Sequence, residues 1–239
     1  MEDQDLEIMP KFVPQLGELI DLFEEIKRVE GDSPNKDFKD SKDKDALRSK
    51  DSPKSYLDSV LNVWKFLVEH YMWRLEIRLM EDLPRYYELY SIKELNDKIA
   101  PFLMNRMKEG ATEVRLKAID FFAKFMKINY ISVKFKEMLK SIVEEFASSS
   151  CYQHRISFIF LFSKFGENFS RTFIKQNMLN LIFPLAGDKV SQVRRKFAEN
   201  LLEIRKCFMV DDTEGIQKFN DVVRKLTTDS DKEVVAVSA

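Results

Sequence analysis

From residue 56 onward the apolar residues recur three and four positions apart, and each run ends at a short polar break. That spacing lays one apolar stripe along each of a series of helices. After Arg115 come Ala118 and Phe121, with Ile119, Phe122 and Phe125 alongside. After Arg155 come Phe158 and Leu161, with Ile159, Phe162 and Phe165. After Arg194 come Phe197 and Asn200, with Ala198, Leu201 and Ile204. The breaks Lys108-Glu109-Gly110, Ser148-Ser149-Ser150, Gly187-Asp188-Lys189 and Thr227-Thr228-Asp229 supply helix stops and caps. The pattern predicts first helices over 56–69, 91–108, 133–147, 171–186 and 214–227, and second helices over 73–88, 112–128, 152–165 and 190–208. Burying each large side chain contributes about 2 kcal/mol, so the wide apolar face of the second helices is the expected core.

Two registers keep step through this pattern. Arg74, Arg115, Arg155 and Arg194 are spaced 41, 40 and 39 apart. Leu61, Phe102, Ile142, Ile182 and Val222 are spaced 41, 40, 40 and 40 apart. A period of about 40 with two helices per period marks a helical-hairpin repeat. The expected fold is all-α, a HEAT/armadillo-like solenoid of about four to five hairpins. Such units bury their apolar faces only against neighbours, and the stack offers a long curved surface rather than a catalytic pocket. In the fifth unit Val235 stands where the Arg would recur, and Val234, Val235 and Val237 run into the last residue. The expectation is a solenoid over 56–239, truncated in its last repeat and drawn from a longer parent.

The N-terminal part reads differently. Residues 8–29 predict one amphipathic helix with Phe12, Leu16, Leu19, Ile20, Phe23 and Ile26 on a face, so 1–30 is a partial repeat. Residues 31–55 hold seven basic and six acidic residues and only Phe38, Ala46 and Leu47 as apolar ones. Such a segment cannot repay its ordering entropy, and a disordered charged insertion is expected. Ser33-Pro34 and Ser52-Pro53 within it are candidate proline-directed phosphorylation sites.

Composition narrows the function classes. The 39 basic and 40 acidic residues are well mixed, which argues against a nucleic-acid footprint. Glu76, Asp120, Glu199 and Glu203 would interrupt any basic stripe along the second helices. Cys151 and Cys207 are too few for a disulfide framework, so a reducing compartment is expected, the cytoplasm or the nucleus. The start MEDQDLE has no signal-peptide pattern, and the strongly apolar run Phe158–Phe162 is too short to span a bilayer.

The residues predict neither an enzyme nor a cofactor. His70 and His154 stand at predicted turns, and with two scattered cysteines they give no metal-ligand spacing. Cys151 and His154 are close in sequence, but nothing orients them as a nucleophile–base pair. The repeating arginines form a candidate structural ladder instead. Glu109 lies six before Arg115 and Asp188 six before Arg194, which predicts turn-to-helix bonds within each hairpin, Arg194 to Asp188 among them. Two, five and nine residues past each Arg the chain is mostly polar, as at Lys117, Asp120 and Lys124, or Lys196, Glu199 and Glu203. That row predicts a solvent-facing, concave side. Leu79, Leu83 and Phe160 interrupt it and are candidate partner anchors. The turns add Trp73, Glu113, His154 and Gln192 as further candidates.

One second helix reads Trp73-Arg74-Leu75-Glu76-Ile77-Arg78-Leu79-Met80-Glu81-Asp82-Leu83-Pro84, and is similar to units of the HEAT-repeat scaffold subunit of protein phosphatase 2A. Phe169-Ser170-Arg171-Thr172-Phe173, followed by Leu185-Ala186-Gly187-Asp188 and Val193-Arg194, more specifically resembles the HEAT-repeat regulatory subunits of protein phosphatase 4. The resemblance covers residues 56–235. Where that family often has prolines in the turn, this chain has Lys189 and Ser191. The resemblance implies a non-catalytic scaffold that holds a serine/threonine phosphatase catalytic subunit through its turns and presents other proteins along its curve. An adaptor for another cargo, in transport or the cytoskeleton, is the alternative. Neither reading involves nucleic acid or membrane.

Overall fold

The computed structural model describes residues 56–209 and 211–238, and every regular element among them is helical. The predicted helix over 8–29, the insertion over 31–55 and the Ser33 and Ser52 sites lie outside the described residues. The chain divides into two compact units, Met1–Leu89 and Tyr90–Ala239, with the boundary after the first predicted hairpin.

In the first unit α1 (Tyr56–Glu69) packs on α2 (Trp73–Glu81), which leads into α3 (Leu83–Leu89). Leu57, Val60, Trp64, Leu67, Leu79, Met80, Leu83 and Tyr86 are buried. Between α1 and α2 the Met72 N–H bonds to Leu67 O at 2.9 Å and the Tyr71 N–H to Val68 O at 3.2 Å. This is a Schellman stop, and it places Tyr71 at φ 55°, a left-handed position that glycine usually fills. The predicted single helix over 73–88 is broken at Asp82. Pro84 has no N–H to continue an α ladder, so the chain restarts as a new first turn at Leu83.

The second unit holds α4 (Ile92–Glu109), α5 (Thr112–Ile128), α6 (Val133–Ile142) with a π turn Val143–Ala147, and α7 (Tyr152–Asn168). It continues with α8 (Arg171–Asn177), α9 (Leu179–Ile182) and a 3₁₀ turn Phe183–Gly187, then α10 (Ser191–Glu199) and α11 (Leu201–Arg205). α12 (Thr213–Thr227) and α13 (Lys232–Ser238) complete it. The predicted boundaries lie close to these, except where a predicted helix is split. The 171–186 helix breaks at Met178 and tightens around Pro184, and the 190–208 helix breaks at Asn200. Asn200 Nδ2 donates to Lys196 O at 2.8 Å, and its Oδ1 accepts from Ser163 Oγ at 2.7 Å. A polar bridge to α7 thus stands where the periodicity asks for a core residue, and side-chain bonding to the backbone ends the helix.

The second helices pack in sequence, α5 on α7, α7 on α10 and α10 on α13. Among the first helices, the π turn after α6 touches α9, and the 3₁₀ turn touches α12. Phe122, Phe125, Phe158, Phe162, Phe165 and Phe197 are fully buried between these elements, as the apolar stripe predicts.

The two kinds of turn are held differently. In the second unit the first helices start on a side-chain cap: Ser91 with Glu94 in a capping box, Ser132 on Phe135 N–H, Ser170 on Phe173 N–H and Asp212 on Gly215 N–H. The second helices α5, α7 and α10 have no such cap, and the turns before α7 and α10 are tied by Arg155 and Arg194. At the α4–α5 turn a Cβ on Gly110 would lie 2.6 Å from Arg106 O and 2.8 Å from Val114 Cγ1, so only glycine fits there.

Candidate functional site: the arginine turns

Arg115, Arg155 and Arg194 sit in the first turns of α5, α7 and α10, and the guanidinium groups of Arg155 and Arg194 reach both the turn behind them and the next turn in the row. Arg155 is the fullest case. Its Nε and Nη2 donate to Asp188 Oδ2 and Oδ1 at 2.6 and 2.8 Å, a bidentate pair. Its Nη1 donates to Ser149 O at 2.7 Å and Ser150 O at 3.1 Å. Both side chains are over nine-tenths buried, at 8% and 7% exposure. Arg194 repeats the arrangement: Nε and Nη2 donate to Asp229 Oδ2 and Oδ1, both at 2.7 Å, and Nη1 to Asp188 O at 2.8 Å. Each aspartate also caps its own turn, Asp188 through Val190 N–H at 2.9 Å and Asp229 through Asp231 N–H at 2.8 Å.

The expected bond from Arg194 to the Asp188 carboxylate is therefore corrected. Arg194 reaches the Asp188 backbone oxygen, while the Asp188 carboxylate serves Arg155 of the preceding pair. The rungs run between hairpins as well as within them, across 33 and 35 residues. The reason is geometric. A carboxylate that caps its own turn faces the previous arginine's fork, while the same turn's carbonyl faces its own arginine.

Protonation follows from these contacts. The hydrogen bond from Arg194 is the main influence on the Asp229 carboxyl, holding it at about 2 against an ordinary 3.8. Burial would raise Asp188, but the bonds from Arg155 and Val190 N–H and the charges of Arg155 and Lys189 outweigh it and leave the carboxyl low. The hydrogen bonds to the two aspartates raise Arg155 and Arg194.

Arg115 differs. The ladder position 34 residues on is Ser149, which has no carboxylate. Among the described residues Arg115 donates to the Thr112 hydroxyl at 3.3 Å, within its own helix. Ser149 Oγ instead lies 3.0 Å from His154 Nδ1 and accepts from Cys151 N–H at 3.2 Å. His154 thus contacts Ser149 through Nδ1, and the serine closes the turn. The His154 imidazole is pushed toward its neutral form by burial first, then by the charges of Lys108 and Arg115, against a smaller opposing pull from Glu109. Glu109, expected to pair with Arg115, is exposed and accepts from Asn105 Nδ2 at 3.1 Å.

The other candidates separate cleanly. Leu79 and Leu83 are fully buried, so they are core and not accessible anchors. Glu76 on the same predicted polar row is buried too, and Ser157 is buried with its Oγ donating to Met107 O at 3.1 Å. Within α2 the buried face therefore runs through the predicted polar row. Phe160 remains half-buried, with Lys196 Nζ 5.3 Å from its ring centroid. Glu113 and Gln192 are exposed, and His154 is half-buried, all three in first turns of second helices. Trp73 in the first unit is half-buried, with the Arg74 guanidinium 4.3 Å from its ring centroid.

One surface escaped the sequence reading. Ile128, Tyr130, Ile131 and Val133 at the α5–α6 turn are 46%, 53%, 97% and 79% exposed. Tyr130 packs by its ring on Phe135 and Phe173, at 5.2 and 5.8 Å between centroids. The signal was present as a break between helices with neither Gly nor Pro and four apolar residues in six.

Burial pushes the Cys207 thiol up to about 11, which suits a packed side chain. Among the described residues no cluster of three or more His, Cys, Asp or Glu side chains could hold a metal ion, and no helix is long and apolar enough to cross a membrane. No protein-family model matches the chain, and no curated protein is similar to it beyond chance.

Proposed function

We propose that the chain is a non-catalytic HEAT-type solenoid that scaffolds or regulates a serine/threonine protein phosphatase of the phosphatase 4 kind, nearer its regulatory subunit 4 type than its subunit 1 type. The observation that carries this reading is the tied turn at Asp188. Leu185-Ala186-Gly187-Asp188 and Val193-Arg194, on which the resemblance rests, coincide with the rung joining Arg155, Asp188 and Arg194. The order of packing along the second helices also supports a repeat with a period of about 40. In this reading the mechanism is positional. Rigid rungs fix the spacing of successive turns, and the exposed first-turn residues Glu113 and Gln192, with His154 beside them, meet the catalytic subunit. Phe160 is what remains of the proposed concave contact. The protein would act in the cytoplasm or nucleus.

The test is co-purification of the intact chain with phosphatase catalytic subunits, read by mass spectrometry and repeated with purified components. Stoichiometric retention of a phosphatase 4 or 2A catalytic subunit, weakened by a Glu113→Lys/Gln192→Glu double variant, is the expected result. A transport or cytoskeletal cargo retained in its place would support the adaptor reading.

A further inference from the structure

Among the described residues of the second unit, the ladder has two closed rungs and one open one. On the closed rungs the guanidinium forks of Arg155 and Arg194 each hold a carboxylate of the next turn. At the matching place beyond Arg115 the chain supplies Ser149. The neighbouring charges are otherwise engaged: Lys108 pairs with Glu145, and Glu109 accepts from Asn105. Arg115 is left with a neutral hydroxyl as its partner among the described residues. It is half-buried, so its fork is partly desolvated yet reachable. An arginine in that position gains most from a planar, two-oxygen acceptor.

We propose that the open rung is a docking site for an acidic side chain of a protein partner, whose carboxylate takes the place that Asp188 and Asp229 hold on the closed rungs. Arg115 receives the carboxylate in bidentate fashion, and Thr112 and His154 border it. The chain itself provides the precedent, since the same fold receives a carboxylate at this register twice. His154 is kept toward its neutral form mainly by burial, and among the charges near it Lys108 and Arg115 act more strongly than Glu109. The inference goes beyond the phosphatase reading and does not depend on it, because any cargo with an acidic segment would meet the same site.

The experiment uses the full chain and a fluorescent, N-acetylated hexaglutamate peptide, with affinity read by polarisation at low salt and folding by thermal melting. Arg115→Gln should weaken peptide binding at least tenfold with the melting midpoint unchanged. Ser149→Asp, which supplies the missing carboxylate in cis, should raise the midpoint and also weaken peptide binding at least tenfold. Inorganic phosphate should compete poorly. Peptide binding indifferent to both variants would overturn the proposal. Phosphate displacing the peptide at equal concentration would overturn it as well and assign the site to phosphorylated ligands. Loss of a phosphatase partner with peptide binding intact would count against the proposed function alone.

Discussion

Arg155 and Arg115 occupy the same position of successive second helices, 40 residues apart, yet they are in different physical states. Arg155 is buried and makes a bidentate ion pair, with two further bonds to turn carbonyls. Arg115 is half-exposed and touches a hydroxyl. The difference originates in one residue of the following turn, Asp188 against Ser149. A carboxylate there caps its own turn and also clamps the previous helix. A serine caps its own turn and leaves the previous helix unclamped. One register position therefore sets whether an arginine serves the fold or is available to a partner.

The sharpest way to break this comparison is Arg155→Ala. It strands the buried Asp188 carboxylate and frees two turn carbonyls, and losing one partner of a buried pair costs about 3 kcal/mol. Denaturant unfolding should show that loss, with a nearly unchanged slope. Arg115→Ala should cost no more than about 0.5 kcal/mol, since it removes one neutral contact at a half-exposed site. Equal losses from the two would mean that the open rung is as structural as the closed ones.

Acid tests the same contrast without mutation. Asp229 has a depressed folded value of about 2, and Asp188 is depressed as well. A group held below its unfolded value stabilises fully above that value, and the contribution fades as pH falls through the folded one. Stability should thus hold from neutrality to about pH 5 and drop steeply toward about pH 2. In Asp229→Asn the wild-type advantage at neutral pH should shrink as pH falls through this window. A constant difference between the two proteins from neutrality to low pH would show that the Arg194–Asp229 pair contributes nothing.

How much of this could be read from the chain depends on the distance over which each contact acts. Helix positions were legible because three-and-four spacing is local, but the N-terminal side-chain caps fall on Ser91, Ser132, Ser170 and Asp212 and not at the breaks expected to supply them. The arginine register was legible as a period. The pairing was not. A separation of six residues pointed Arg194 at Asp188, and the true six-residue bond goes to a backbone oxygen, which no side-chain type reveals. The carboxylate partner lies a whole hairpin away. Leu79 and Leu83 misled because the polar row was placed by its distance from Arg74, whereas α2 buries the face that carries Glu76, Leu79 and Met80, and Leu83 beyond the break is buried as well. The exposed Ile131 shows the converse, since an apolar residue in a turn belongs to no stripe and periodicity cannot place it.

Tyr71 offers a smaller test, of a turn that the ladder does not reach. It carries φ 55° at the Schellman stop and is 89% exposed, so its side chain contributes little packing. A left-handed non-glycine residue costs about 1 kcal/mol, which Tyr71→Gly should recover in part, less the entropy that glycine loses on folding. The net gain should be about 0.5 kcal/mol in denaturant unfolding. A loss would mean that the tyrosine ring makes contacts that its exposure hides.

The smallest expected effect belongs to the polar row beside the closed rungs. Lys196 is two residues beyond Arg194 and pairs with Glu199 three residues on, with 31% of its side chain exposed. It also lies over the Phe160 ring at 5.3 Å. An exposed pair at this spacing is worth a few tenths of a kcal/mol, and a partly solvated cation–π contact little more. Lys196→Ala should therefore change stability by less than about 0.5 kcal/mol, although Arg194→Ala, in the same helix turn, should cost about 2 kcal/mol or more. What Lys196→Ala should change is access: without the ammonium the Phe160 ring is open to solvent and to any partner. If capture of the proposed phosphatase partner strengthens in Lys196→Ala while the melt stays level, Phe160 is part of the contact. If neither property moves, Phe160 drops out of the proposal and leaves the turns, where the closed and open rungs already differ, as its candidate contact.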